Sequence, residues 1–117
     1  MFDPYHSGHD QYFYVEGDFS GALMGLPGST TIMNWNLGNL TQSLAWFSGT
    51  NPSQPIAFKQ IIAGYYDSGN GTKSAQDEVA AAKGIPGVLG LMYTTWNDDY
   101  SQLQNFAKAA LKSWSKR

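Results

Sequence analysis

The chain carries Lys59-Gln60-Ile61-Ile62-Ala63-Gly64-Tyr65-Tyr66-Asp67 at its centre, a mostly apolar run that ends in two tyrosines and a carboxylate. Strands that are covered on both faces are nearly continuous in apolar residues, whereas half-exposed strands alternate apolar with polar residues. The run therefore predicts a buried parallel strand whose C-terminal end is Tyr65-Tyr66-Asp67.

Two similar runs flank this one. Thr30-Thr31-Ile32-Met33 precedes it, and Gly87-Val88-Leu89-Gly90-Leu91-Met92-Tyr93 follows it. The three runs begin near positions 30, 59 and 87, so they are 29 and 28 residues apart. A strand, a helix and two short loops together occupy about that length. The pattern predicts three consecutive strand–helix units over residues 29–117, preceded by an irregular segment over residues 1–28.

The segments between the runs carry helix signals. Asn39-Leu40-Thr41-Gln42 and Ser74-Ala75-Gln76-Asp77 each offer a capping residue at the start of an apolar-periodic stretch. Gly84 and Pro86 then predict a left-handed cap and a stop for the second helix. Asn97-Asp98-Asp99 places acidic side chains where the positive end of a last helix is expected. Three helices are predicted, each following one strand.

Strands that alternate with helices imply an α/β fold with parallel strands and right-handed crossovers. Two architectures stay open, a doubly wound open sheet and part of an eight-stranded TIM barrel. Three strands cannot close a barrel and leave two sheet edges unpaired. Either Tyr12-Phe13-Tyr14-Val15 supplies a further strand to a small sheet, or copies of the chain associate, and we expect a homo-oligomer. The 117 residues are interpreted as a single domain or a partial barrel.

The composition of the chain argues against two classes of partner, nucleic acids and membranes. A net charge of −2 provides no basic field for a phosphate backbone, so nucleic acid is not expected as a partner. The chain has no cysteine and no apolar stretch near the roughly 18 residues that span a bilayer. Met1-Phe2-Asp3-Pro4 has neither the basic nor the apolar region of a signal peptide. We expect a soluble chain without a membrane partner, and the compartment stays open.

Aromatic and polar residues follow each predicted strand. The three strand ends are Asn34-Trp35-Asn36, Tyr65-Tyr66-Asp67 and Tyr93-Thr94-Thr95-Trp96-Asn97. In parallel α/β folds these ends share the edge where ligands bind. Aromatic rings stack on sugar rings, while amides and carboxylates bond sugar hydroxyls. The candidate carbohydrate-binding residues are Trp35, Asn36, Tyr65, Tyr66, Tyr93 and Trp96. Their other interpretation is that aromatics suit strands, and Asn and Asp suit turns and caps.

Asp67 is the candidate catalytic carboxylate, because it directly follows an apolar strand. It is as well explained as the first residue of a turn over residues 67–71. Glycoside hydrolysis normally needs two carboxyl groups across the bond, and the other strand ends offer none. Asp3 and Asp18 qualify only if the N-terminal segment folds over that edge. His6 and His9 lack the partner ligands of a metal site, and no cofactor fingerprint occurs, so neither metal nor cofactor is expected.

Four strings in order resemble the C-terminal part of bacterial glycosyl-hydrolase-like barrel proteins, distantly similar to family 20 β-N-acetylhexosaminidases. They are Met1-Phe2-Asp3-Pro4, Asn34-Trp35-Asn36, Ile61-Ile62-Ala63-Gly64-Tyr65-Tyr66-Asp67 and Gly90-Leu91-Met92-Tyr93-Thr94-Thr95-Trp96. The resemblance implies further strands upstream and a sugar-contacting wall. It also implies a catalytic Asp–Glu pair on an earlier strand, and Asp77-Glu78 does not match that pair because it falls in a predicted helix.

Three functions are considered. The resemblance implies a fragment of a glycoside hydrolase-type barrel, which we expect to bind carbohydrate and to be weakly active or inactive alone. The first alternative is a non-catalytic binding or self-assembling α/β module. The second is an enzyme that oligomerisation completes, with Asp67 and Asp3 brought together between copies. Whether the chain is an enzyme stays open at this point.

Overall fold

The computed structural model describes residues 3–6, 20–67 and 69–116. The strands are β1 (Thr31–Asn34), β2 (Lys59–Ile62) and β3 (Val88–Leu91). The α-helices are α1 (Leu40–Phe47), α2 (Gly71–Ala81) and α3 (Leu103–Trp114), and 3₁₀ turns span Ser20–Gly25 and Leu37–Asn39. The segment Tyr12–Val15, proposed above as an additional strand, lies outside the described residues.

The three strands form one parallel sheet in the order β1-β2-β3. Thr31 pairs with Lys59 and Asn34 with Ile62, while the register between β2 and β3 shifts once, between Gln60 and Ile61. Helices lie between consecutive strands, so the predicted α/β fold with parallel strands is confirmed. Gly87, which enters β3, has a φ of 80°, and a Cβ there would lie 2.9 Å from the Phe58 carbonyl oxygen.

Two of the three predicted helix starts are wrong. Helix α2 begins at Gly71 rather than near Ser74, because the Asn70 side chain accepts a hydrogen bond from Lys73 N at 3.0 Å and caps the helix earlier. Helix α3 begins at Leu103 rather than at Asn97–Asp99. The residues before it are held by hydrogen bonds to Asp67, described below. At the other end of α2, Gly84 has the expected left-handed conformation, with φ of 77°.

The apolar core lies between the sheet and the helices. One buried cluster joins both crossover helices to the strands, through Leu40, Leu44, Ile62, Ala82, Ile85 and Val88. A second joins β2's end to α2 and α3, through Tyr65, Ala75, Phe106 and Ala109. Within the described residues the three α-helices therefore lie on one face of the sheet. On the opposite face Thr31 and Met33 are exposed, Met33 by 60%.

Candidate functional site

The N-terminal residues 3–6 lie over the end of β1. Asp3 is 8% exposed, and its Oδ2 accepts hydrogen bonds from Ser43 Oγ at 2.6 Å and Asn36 Nδ2 at 2.9 Å. Its Oδ1 accepts from Tyr5 N at 2.9 Å. The structure thus brings Asp3 to the edge where strand ends meet, which the sequence left conditional. Both carboxylate oxygens are used in holding that edge together.

The hydrogen bonds continue beneath Asp3 into the sheet. Asn34 Nδ2 donates to Ser43 Oγ at 2.8 Å and to Gln60 Oε1 at 3.2 Å, and Gln60 Nε2 donates to the Leu44 carbonyl at 2.8 Å. Buried polar groups stabilise a fold when they are bonded and cost free energy when they are not. This Asp3 network, comprising Asp3, Asn34, Asn36, Ser43 and Gln60, fixes the end of β1 to α1 and β2.

Trp35 and Asn36 differ in what they offer a ligand. Trp35 is half-buried, its ring lies 5.1 Å from the His6 ring, and both side chains line a cavity of about 130 Å³. Asn36 is buried, donates to Asp3 and accepts from Asn39 N at 3.3 Å. The Asn36 side chain is therefore occupied by the fold, which leaves Trp35 as the ligand candidate at this strand end.

Tyr65 is 1% exposed and belongs to the core. Its ring stacks on Tyr93 at a centroid distance of 4.4 Å and lies 5.8 Å from Phe106. Its hydroxyl donates to the Gly69 carbonyl at 3.2 Å. Burial, with a smaller contribution from the neighbouring Tyr93, raises the pKa of Tyr65 to about 12. Tyr65 presents no ring face at the edge, which departs from the interpretation of this residue as a sugar contact.

Tyr93 is half-buried between the same partners. Its ring meets Phe106 edge-on at 5.4 Å, and its hydroxyl donates to the Asp99 carbonyl at 2.9 Å. Both tyrosines lie just beyond the strands that precede them, and both pack against Phe106 of α3. The tyrosine pair positions the loop after β3 rather than offering a stacking platform.

Asp67 organises that loop. Its Oδ2 accepts from Trp96 N at 2.7 Å, from Thr95 Oγ1 at 3.2 Å and from Asn97 N. Its Oδ1 is buried without a partner among the described residues. Three donors on one oxygen make Asp67 an anchor for residues 95–97, because each bond fixes a loop group at the end of β3. This anchoring role differs from both sequence interpretations of Asp67, because its bonds reach residues 95–97 rather than the turn over residues 67–71 or a substrate.

The anchored loop displays an exposed indole. Trp96 is 68% exposed and Tyr66 is 43% exposed, and both follow strand ends at the same edge. Tyr100, further along the same connection, is 58% exposed. Of the predicted wall, the structure leaves Trp96, Tyr66 and the half-buried Trp35 accessible, and it uses Asn36, Tyr65 and Tyr93 in packing.

Glu78 is a buried acid that sequence reasoning passed over as an ordinary helix residue. It is 1% exposed, and its Oε1 accepts from Ser74 Oγ at 2.8 Å. Burial raises the pKa of the Glu78 carboxyl to about 7, with a small contribution from Asp77 and against the lowering effect of the Ser74 bond. The sequence does contain an indication of this burial, because Ala75, Glu78 and Val79 share the helical spacing of an apolar face.

The described residues also bear on two further features, metal sites and membrane-spanning helices. Among the described residues no group of three His, Asp or Glu side chains could hold a metal ion. No helix in the described part of the chain has both the length and the apolar character to cross a membrane. Comparisons of the chain with protein-family models, curated proteins and solved structures found no match. The resemblance to glycosyl-hydrolase-like barrels thus rests on the sequence motifs.

Proposed function

We propose that the chain is part of a TIM-barrel-like (β/α)8 fold that binds carbohydrate at the C-terminal edge of its sheet and does not hydrolyse it alone. The sheet geometry supports the barrel component. Strands in sequential order with the helices on one face are the winding of a barrel, whereas a doubly wound sheet reverses its order and carries helices on both faces.

The observation that carries the binding component is the exposure of Trp96 on an anchored loop. An indole that is 68% exposed forgoes the burial that aromatic side chains normally gain, and Asp67 holds its backbone N–H at 2.7 Å. An ordered, accessible ring loses little entropy when a sugar stacks on it. Tyr66 adds a second accessible ring at the same edge.

The lack of hydrolysis follows from how the carboxylates are used. A retaining glycosidase needs two carboxyl groups about 5 Å apart, and an inverting one needs them about 6.5–9.5 Å apart, both facing the scissile bond. Asp3 accepts three hydrogen bonds from the fold, and Asp67 Oδ2 accepts three from the loop. Moving either carboxyl onto a substrate would break bonds that hold its own end of the sheet, and Asp67 Oδ1, which has no partner among the described residues, is buried.

Self-association is part of the proposed function, and it is also the basis of the alternative function. The outer edges of β1 and β3 have no strand partner within the described residues, and Met33, Leu89 and Leu111 are 60%, 53% and 75% exposed. Unpaired edges and exposed apolar side chains favour pairing with further strands, for example from a second copy across a two-fold axis. The same observation favours the second candidate, a self-assembling α/β module without a carbohydrate ligand.

A titration followed by NMR separates these functions. The indole and backbone amide signals of the chain are recorded while cello-, xylo-, malto- and chito-oligosaccharides are added. We expect saturable shifts at Trp96 with at least one glycan, and we expect Trp96→Ala to abolish them. Tyr100→Ala is the matched control, since Tyr100 is also an exposed aromatic but lies outside the predicted wall.

Three results would count against the proposal. If no glycan in the panel shifts Trp96, or if Trp96→Ala binds as the parent does, the edge is not a carbohydrate site. In that case a solution mass above that of one chain supports the self-assembling module. Turnover of aryl glycosides that is lost in Asp67→Asn would instead support the oligomeric enzyme and overturn the inactive assignment.

A further inference from the structure

A second concave site lies on the helical side of the sheet, between residues 37–42 and α2. It is a cleft of about 420 Å³. Leu37, Leu40 and Ala81 provide apolar walls, while Ser74, Asp77 and Glu78 provide polar groups from α2. None of the residues of the carbohydrate edge lines it, so the cleft is a separate feature of the molecule.

The Glu78 carboxyl in this cleft has an unmet hydrogen bond. Its Oε1 accepts from Ser74 Oγ at 2.8 Å, but its Oε2 is buried and has no partner among the described residues. Buried side-chain oxygens are nearly always bonded, and each exception calls for an explanation such as an absent ion or ligand. Leaving such an oxygen unpaired costs free energy, because it has lost water and gained nothing.

A glycine leaves room for the Glu78 carboxyl. Gly64, two residues beyond β2, lies against it, and a Cβ at that position would lie 3.0 Å from Glu78 Oε1 and closer still to Leu37 Cδ2. Any larger residue at position 64 would displace the carboxyl or the leucine beside it. Glycine therefore permits a buried acid at a point where an apolar side chain would otherwise fill the core.

Both ionisable residues that line the cleft, Glu78 and Asp77, are acidic. The exposed Asp77 carboxylate pairs with Lys73, so the buried Glu78 carboxyl is the acidic group of the lining that has no cationic partner among the described residues. Among the described residues that line the cleft, none is Lys, Arg or His. The site thus attracts a cation and repels an anion. Its apolar walls suit the hydrocarbon stem or planar face of an organic cation better than a hydrated metal ion.

We infer that this cleft binds a guanidinium or ammonium group, whose N–H donors bond the free oxygen of Glu78. A charge-assisted bond of this kind is stronger than a neutral one, and it satisfies the unpaired atom. The group could belong to a small organic cation or to an Arg or Lys side chain of a partner protein. The inference is independent of the carbohydrate edge and stands or falls without it.

The test uses methylguanidinium chloride as the probe, added to the full chain at pH 8 and constant ionic strength. We expect saturable shifts of the Gly38, Asn39 and Ser74 amide signals, and we expect Glu78→Gln to weaken binding by roughly tenfold or more. Asp98→Asn is the matched control. It removes the same charge from an exposed site, and asparagine tolerates the φ of 55° at that position. The control variant should bind within about twofold of the parent.

Two further arms complete the experiment. A capped Gly-Arg-Gly peptide that binds more tightly than methylguanidinium points to a partner's side chain, whereas weaker binding points to a small cation. Calorimetry of the unaltered chain at pH 7, in buffers of different ionisation enthalpy, should show proton release as the cation captures the ionised carboxyl. The inference is overturned by an absence of saturable shifts in the parent, by equal binding in Glu78→Gln, or by binding without proton release.

Discussion

At the C-terminal edge of the sheet, the end of β1 and the ends of β2 and β3 are held in place by different chemistry. We call the first the polar end and the second the aromatic end. At the end of β1, the Asp3 network ties the N-terminal residues, α1 and β2 together by hydrogen bonds between buried polar side chains. At the ends of β2 and β3, Tyr65, Tyr93 and Phe106 tie α2 and α3 to the strands by aromatic packing. Both arrangements fix a loop at the edge where ligands of parallel α/β folds bind.

The difference between them lies in the kind of contact, since both ends join segments about forty residues apart in the chain. The aromatic end, built from Tyr65, Tyr93 and Phe106, retains packing area even if one contact is lost. The polar end joins Asp3 to Ser43, forty residues away. Each buried polar side chain of the Asp3 network needs the others as hydrogen-bond partners. We therefore expect the aromatic end to contribute more stability and the polar end to be the more sensitive to conservative changes.

The largest expected effect is that of Tyr65→Ala. It empties a fully buried aromatic site between Tyr93 and Phe106, and such truncations cost about 3–5 kcal/mol of the free energy of unfolding. Tyr65→Phe is the matched variant, since it removes only a hydroxyl bonded at 3.2 Å and should cost about 1 kcal/mol or less. Urea unfolding measures both. Equal losses in the two variants would show that the hydroxyl, rather than the ring, holds this end together.

Asp3→Ala probes the polar end and should have an intermediate effect. It leaves Ser43 Oγ, Asn36 Nδ2 and Tyr5 N without their acceptor, and we expect a loss of roughly 2 kcal/mol. Amide chemical shifts should change around Asn36 and Ser43 while those near Trp96 stay constant. A change that spreads to Trp96 would show that the two ends are coupled and would break the comparison.

The sequence was informative where a pattern repeats and where local chemistry is unambiguous. Three apolar runs at similar spacing predicted the parallel α/β sheet, and Gly84 marked the end of α2, because few residues adopt its left-handed conformation. The start of α3 could not be predicted in the same way. Asn97-Asp98-Asp99 before it resembles a helix start, but Asp67, about thirty residues away, accepts hydrogen bonds from the Trp96 and Asn97 amides instead.

The candidate site was predictable in position but only partly in composition. Strand ends of a parallel sheet share an edge, so the location follows from the fold class. Which aromatic faces solvent does not, because Tyr65 and Tyr66 are adjacent and of the same type, yet 1% and 43% exposed. Alternation along the chain separates their faces, and the sequence does not say which of the two faces α3 covers.

The Asp3 network could not be predicted from the sequence, whereas the burial of Glu78 could have been. The acid of the polar end comes from a segment without regular structure, so nothing local predicts that it will reach Ser43. Glu78 is adjacent to Asp77 and resembles a solvated helix residue. Its placement among Ala75 and Val79 on the buried face is the pattern that distinguishes it.

The last expected effect depends on pH and contrasts Glu78 with Asp3, the two acidic residues that are buried among those the structure describes. Glu78 has a pKa of about 7 when folded against an ordinary 4.5, so between these values the folded state binds more protons than the unfolded state. Stability must then fall as pH rises through that window, by roughly 1–3 kcal/mol, and level off above about pH 7.

Glu78→Gln should remove this component, matching the parent near pH 5 and exceeding it at pH 8 in urea unfolding. Asp77→Asn, next in sequence but exposed and paired with Lys73, should follow the parent at every pH within about 0.5 kcal/mol. A difference between the parent and Glu78→Gln that does not change with pH would mean that burial does not favour the protonated Glu78 carboxyl, and the contrast between a satisfied and an unsatisfied buried acid would be lost.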